Sequence, residues 1–511
     1  MATPVTADSH GTILGHPKGL FILFFAEMWE RMSFYGMRAL LVMYMMKHLL
    51  ADPVKMAEVM GMNTLKQILE IGFGPLEIQP FASQIYGLYI GLVYLSPFFG
   101  GILADRVWGK KKSVYIGGLL MIIGHFMMGM ENLFLPALFF LIMGNGAFKP
   151  NISTQVGSLY PEGDKRRDGA FTLFYMGINL GAFISPFLCD NFAHYVNGLR
   201  GITDEAATSH LGFTFAGIGM MIGLLVYHFG QKYLNTHDEE TIIQDKKERS
   251  SFGYKAIGSF FLTVAAFIGF LMLNPTLKFI VIAAVIAASV YLIYKIRDQI
   301  DRTKVAALVF ICMATIAFWA IFEQQGNTLQ IWADEKADFA RLGLKASNYQ
   351  SFNPLFILMF APLMNILWAF RAKKGKASSS VRKMAVGSFL AGLAFLVMAL
   401  VSDYITIEKS LMNMFWLAVT TWIFTLGELY LSPIGLSLVT KVAPKHMVSM
   451  MMGLWFVSSF IGGYLAGYLG SDYSTAIPFN FFMKFAVMGA GVGVLFLLAE
   501  KKMEKAIGSD I

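Results

Sequence analysis

Again and again this sequence runs for about 20 residues with almost no charge. Fourteen such runs can be marked, near 18–48, 79–104, 113–131, 134–158, 170–195, 211–230, 253–273, 276–295, 304–328, 351–371, 382–402, 411–438, 448–470 and 476–499. No other feature limits the fold as much. A helix rising 1.5 Å per residue needs about 20 apolar residues to cross a bilayer, and inside lipid each backbone N–H and C=O must be satisfied by its own segment. A membrane β-barrel would show short alternating segments instead. A soluble chain of this length would divide into several domains, each needing a charged surface. Only 14% of the 511 residues are charged and 56% are hydrophobic. An ordinary soluble domain carries about 25% charge. Two cysteines are too few for a disulfide-stapled secreted fold, and Cys189 and Cys312, both in apolar runs, read as buried free thiols. The class is an all-α polytopic membrane protein.

The basic residues give the topology. They fall in every second loop: Arg106 and Lys110–Lys112; Lys165–Arg167; Lys232, Lys246, Lys247 and Arg249; Lys295, Arg297, Arg302 and Lys304; Arg371, Lys373, Lys374, Lys376, Arg382 and Lys383; Lys441 and Lys445; and the tail Lys501, Lys502 and Lys505. The alternate loops hold little beyond Arg200 and a scatter at 336–345. Basic loops stay on the cytoplasmic side. An even number of spans then leaves both termini inside a cell membrane. The net charge of +8 is a topology signal, and nucleic acid is not expected as a partner. Residues 1–17 lack a basic segment followed by a small-residue cleavage site, so the first span is expected to serve as its own insertion signal.

Two closely spaced runs at 253–295 sit between charged linkers. They separate six spans before from six after. The expected domains are 1–230, a linker with two additional helices at 231–303, and 304–511. Such a repeat implies a transporter with its substrate site near the bilayer midplane.

A few charges contradict the apolar pattern. In the first run Glu27, Glu30, Arg31 and Arg38 share one helical face. A charge at the centre of a spanning helix costs about 2.5–3.5 kcal/mol, so four on one face must line a polar cavity and neutralise one another. Lys149, Glu323 and Glu428 are lone charges in the fourth, ninth and twelfth runs. A buried lysine needs a carboxylate, and Glu323 is a candidate partner whose bond to Lys149 would break on protonation and so act as a gate. Tyr35, Tyr89, Tyr175, Asn179, Trp319, Asn353 and Trp455 accompany these charges, and Pro150, Pro354 and Pro433 suggest kinks that free backbone groups.

Several strings resemble known ones. Gly101 to Lys111, with Asp105 and Arg106, resembles the cytoplasmic gating loop of the major facilitator superfamily. Glu27-Met28-Trp29-Glu30-Arg31-Met32-Ser33-Phe34-Tyr35 resembles the E-x-x-E-R-F-x-Y-Y signature of the proton-coupled oligopeptide transporters. Phe174 to Gly181 is similar to their F-Y-x-x-I-N-x-G motif. Lys149-Pro150, Phe318-Trp319 with Glu323-Gln324, Asn353-Pro354 and Gly427-Glu428-Leu429 with Ser432-Pro433 follow in order along nearly the whole chain. Met32 and Phe34 depart from the signature, and Phe34 lacks a hydroxyl that the signature carries.

The resemblance implies a major facilitator fold of two six-helix bundles with two extra helices, as in bacterial members. It implies proton-coupled import of di- and tripeptides by alternating access. Glu27, Glu30, Arg31, Lys149 and Glu323 would couple protons. Arg38 and Lys149 would meet the peptide carboxylate, and Glu428 its amino terminus. Asn179 and Asn353 would bond the peptide backbone. Tyr35, Tyr89, Tyr175, Trp319 and Trp455 would line side-chain pockets, with Ser432 beside Glu428. Asp105 and Arg106 would form the gate motif. Protons would be the coupling ion, with no other cofactor and no metal. Partners would be a small peptide and membrane lipid, with the monomer as the working unit. Two alternatives keep the fold: a carrier of nitrate or another small anion, which Glu428 would repel, and a drug–proton antiporter. H-E-x-x-H, G-x-S-x-G and phosphate-cradling strings are absent, so no enzyme is expected. The stretches 51–78 and 198–210 are longer loops to which the sequence assigns no role.

Overall fold

The computed structural model describes residues 11–161, 163–234, 242–375, 378–408 and 411–507, without the side chains of Leu436, Lys445 and Ser449. Of the basic loop residues, Lys376 and the Lys445 side chain lie outside the described residues.

Eighteen α-helices follow one another among the described residues. They are α1 (Lys18–Tyr44), α2 (Pro53–Glu58), α3 (Met62–Phe73), α4 (Ile78–Leu103), α5 (Lys110–Met127), α6 (Phe134–Ser158), α7 (Arg166–Pro186), α8 (Phe192–Leu199) and α9 (Glu205–Phe229). They continue with α10 (Lys246–Met272), α11 (Pro275–Tyr294), α12 (Gln299–Phe322), α13 (Thr328–Lys336), α14 (Phe352–Lys373), α15 (Ser380–Glu408), α16 (Met414–Val442), α17 (Val448–Gly470) and α18 (Pro478–Ile507). Among the described residues strands are confined to two short pairs, Thr12–Ile13 with His16–Pro17 and Ala337–Asp338 with Met412–Asn413.

Twelve of the helical stretches are long and apolar enough to cross a membrane. Two further long helices, α1 and α5, bring the number to the fourteen that the runs imply. Five charged residues lie within α1, and three lysines open the 18 residues of α5. The apolar runs fix the spans but not the helix ends, because a helix can continue past the bilayer. Thus α10 begins at Lys246, in the charged linker. The stretch from α7 through α8 extends over 34 residues, Arg166–Leu199, passing through a π-helical turn at Phe187–Asn191.

The chain folds as two compact units: 1–63 with 95–266, and 64–94 with 267–511. The division runs through α3, α4 and α10, so α4 gives its first part to the second unit. In the first unit α1 packs on α7 and α9, and α5 packs on α6 and α9. In the second, α15 packs against α16 and α18, and α12 against α17 and α18. A core of Phe318, Phe395, Phe424, Phe482 and Phe485 lies within it. The first part of α4 meets α17 backbone to backbone. A Cβ on Gly467 would collide with the Ser83 carbonyl and stand 2.7 Å from the Cα of Gly87. Cys189 and Cys312 are buried free thiols.

Candidate functional site

In the first unit the charges of α1 are fully enclosed: Glu27, Glu30, Arg31 and Arg38 are each at most 4% exposed. Their spacing puts them on one face, and the packing of α1 on its neighbours removes water from it. Arg31 answers both carboxylates. Its Nη2 donates to Glu30 Oε1 at 2.6 Å, its Nε pairs with Glu30 Oε2, and Nε stands 3.1 Å from Glu27 Oε1. A guanidinium suits this, being a planar fork of donors with no acceptor. The other Glu27 oxygen, Oε2, is buried and unpartnered among the described residues. Arg31 also donates from Nη2 to Asn145 Oδ1 on α6 at 3.5 Å, and Lys149, one turn further along α6, acts on Glu27 through its charge. A proton arriving at either carboxylate would shift the guanidinium toward the other.

Two turns along α1, Arg38 lies over the Tyr35 ring at 5.8 Å, and Arg31 over the Phe34 ring at 5.3 Å. Phe34 thus offers a ring face to a cation where the signature carries a hydroxyl. On α7, Tyr175 is partly exposed, while the Asn179 amide donates to the Tyr175 carbonyl of its own helix at 2.9 Å. That donor is satisfied locally, within α7. Asp105 and Arg106 are exposed on the π-helical turn Ala104–Trp108 that ends α4.

In the second unit Glu323 has no exposed surface and opens the 3-10 turn that follows α12. Tyr86 and Tyr94 of α4 both donate their hydroxyls to it, at 3.1 and 2.9 Å. The Trp319 ring, one turn earlier on α12, lies 5.9 Å from that of Tyr94, and its indole N–H is buried with no partner among the described residues. Tyr89 is buried on the same stretch of α4. Asn353 on α14 donates from Nδ2 to Glu428 Oε2 at 2.8 Å and to Thr425 Oγ1 at 3.0 Å, both on α16. Ser432 is half-buried one turn beyond Glu428, and Trp455 on α17 is buried with its ring against Gly435 of α16.

The structure therefore gathers the expected residues into local sets. Glu27, Glu30 and Arg31 form one, Tyr35 and Arg38 a second, Glu323 and Trp319 a third, and Asn353 and Glu428 a fourth. Lys149 belongs to the first unit and Glu323 to the second. Sequence reasoning missed Asn145, Thr425, Tyr86 and Tyr94. The tyrosines carry a signal: at 100° per residue Tyr86 and Tyr94 lie within about 80° of each other, whereas Tyr89 and Tyr94 stand about 140° apart. Among the described residues no three His, Cys, Asp or Glu side chains gather in a metal-binding group.

Comparison with known proteins settles the family. Residues 111–480 match the family model described as POT family. The peptide transporter YePEPT of Yersinia enterocolitica is 32% identical over 494 residues, which cover 92% of this chain and 90% of that protein. The chain belongs to the POT family. A di-/tripeptide transporter of Lactococcus lactis shares 32% identity over 523 residues, covering 97% of this chain and 98% of that one. The fold matches the crystal structure of a POT peptide transporter in complex with sulfate, with a TM-score of 0.78, 31% identity and 97% of each chain covered. The POT fold accounts for both the six-and-six arrangement of spans and the two added helices, and membership makes this chain a multi-pass membrane transporter rather than an enzyme.

Proposed function

We propose that this POT-family chain imports di- and tripeptides together with protons across the cell membrane, with both termini in the cytoplasm and the monomer as the working unit. The two expected bundles, 1–230 and 304–511, would alternate access to the substrate. The observation that carries this reading is the Asn353–Glu428 pair, a buried carboxylate held by an amide at 2.8 Å. A site for nitrate would gain nothing from a carboxylate. A zwitterion needs an anion for its ammonium and a cation for its carboxylate. Glu428 supplies the first, and Arg38 and Lys149 supply the second. The relatives named as peptide and di-/tripeptide transporters support the same substrate class.

Glu27, Glu30 and Arg31 form the proton-responsive set, and Lys149 pairs with Glu323 in one part of the cycle. The Tyr86 and Tyr94 hydroxyls keep Glu323 solvated when that pair is broken. Protons are the coupling ion and no further cofactor takes part. Each proton carries about 2.3 kcal/mol per 100 mV of potential, which suffices to concentrate a peptide. Uptake of labelled dialanine into proteoliposomes, competed by unlabelled dialanine and by its N-acetyl derivative, tests the assignment of Glu428. Dialanine is expected to compete at least ten-fold better, at about 1.4 kcal/mol per ten-fold. Equal competition would remove Glu428 from the amino-terminal site.

A further inference from the structure

Of the stretch 198–210, expected as a loop, only 200–204 joins α8 to α9, the rest being helix, and beside it stands a histidine held on both sides. His194 Nδ1 lies 2.7 Å from Asp190 Oδ1, and Nε2 lies 2.8 Å from Glu205 Oε2. A carboxylate oxygen only accepts, so each ring nitrogen must donate. A neutral imidazole has a single N–H. The arrangement is that of the doubly protonated ring, and breaking it takes one proton away. The ring is about one quarter exposed. From Arg166 it lies roughly 42 Å along the helix, past the ~30 Å of a hydrocarbon core. Protons from the side of this loop reach it.

Asp190 belongs to the π-helical turn Phe187–Asn191, an irregularity that frequently marks a functional position. That turn is wedged against α1. A Cβ on Gly36 would run into the Cys189 sulfur and come within 3.0 Å of its Cβ, and α9 closes the other side with Gly212 against the Cys189 carbonyl. Gly36 lies between Tyr35 and Arg38. The chain of contact from His194 to the residues proposed for the peptide is thus one turn of backbone and one cysteine.

We propose that His194 is a positioning residue. Protonated from the outer side, it bridges Asp190 and Glu205, fixes the π turn, and through Cys189 and Gly36 holds Tyr35 and Arg38 ready for peptide. This rests on the transport reading above. The charged groups that face the ring are Asp190 on its own helix and Glu205 at the start of α9, beside the capping Asp204, and Glu205 and Asp204 in turn interact with His48 on the turn after α1. Arg38 and Tyr35 stand on the α1 side. The arrangement is separate from Glu27, Glu30 and Arg31, so it adds a second dependence on external pH.

The test is the KM for dialanine uptake into proteoliposomes at external pH values from about 5.5 to about 8, spanning the ordinary histidine range, with internal pH and potential fixed. His194→Gln cannot donate from both sides. Its KM is expected to exceed that of the unaltered protein by roughly five-fold at the acid end, the lower end of ordinary coupling between sites, and to converge with it at the alkaline end. Glu205→Gln provides the converse. Its amide donates to a neutral ring, so the bridge persists without the extra proton, and KM should stay low and flat across the range. A His194→Gln to wild-type KM ratio that is constant with pH, or a Glu205→Gln profile that follows His194→Gln, would overturn the proposal. Uptake by the unaltered protein that ignores the proton gradient would defeat the transport reading instead.

Discussion

Glu323 shows how a single side chain is set up for its role. It is buried, and two tyrosine hydroxyls hold it within the second unit. A hydrogen bond to a charged acceptor is worth about 1.5–3 kcal/mol. Tyr94→Phe removes one of the two, and proton-driven dialanine uptake is expected to fall roughly ten-fold, with Glu323→Gln falling further while peptide exchange without a gradient persists. Initial rates under both conditions check this. Asn353→Ala leaves Glu428 without its amide donor, and the KM for dialanine should rise roughly ten-fold with little change in kcat, measured in the same vesicles. The lone charges were legible because a charge in an apolar run has few explanations. Tyr86 and Tyr94 were not, since a tyrosine in such a run packs, belts the interface or donates with equal ease. Asn145 and Thr425 were hidden for the same reason: each is a common residue until its partner is known.

At the scale of helices the sequence indicated spans and stopped short of their ends. The run at 170–195 marks a crossing, yet α7 continues through its π turn into α8 because nothing in a bilayer ends a helix that leaves it. The contacts that join helices were less visible. Gly467 faces Gly87 and Ser83 of α4, a pairing that nothing in an apolar run names. Gly467→Val would force backbones apart at a cost of about 1–3 kcal/mol. The melting temperature of the purified protein should drop by several degrees, and an unchanged melting temperature would show that α4 and α17 can separate freely. The stretch 51–78, expected as a loop, carries α2 and α3 and has its own anchor. Lys55 donates to Glu131 at 3.0 Å, and this hydrogen bond, with the charge of Glu131, raises the lysine's pKa. A raised lysine pKa gives a contribution that is complete below the ordinary value and lost only as pH climbs past the folded one. This anchor therefore stays closed through the range in which His194 titrates, and Lys55→Met should leave the shape of the uptake–pH profile unchanged between about pH 6 and about pH 8.

For the whole molecule, a sparse charge complement sorts into two populations. The basic loops set the expected orientation in the membrane. The seven charges Glu27, Glu30, Arg31, Arg38, Lys149, Glu323 and Glu428 stand in helices or turns of the spanning stretches, where each costs free energy unless it has work and a partner. The family and the six-and-six plan were legible because these exceptions occur in a fixed order along the chain. The compact units were not: contacts assign the first part of α4 to the second unit, and a linear reading has no means to move a segment across its own boundary. A switch driven by protons must bind them differently in its two states. The direct measurement is uptake of labelled dialanine into proteoliposomes with an inward proton gradient, with and without a protonophore. Accumulation above the equilibrium level that collapses when the protonophore is added is the expected result. No accumulation, or accumulation indifferent to the protonophore, would contradict proton-coupled peptide import.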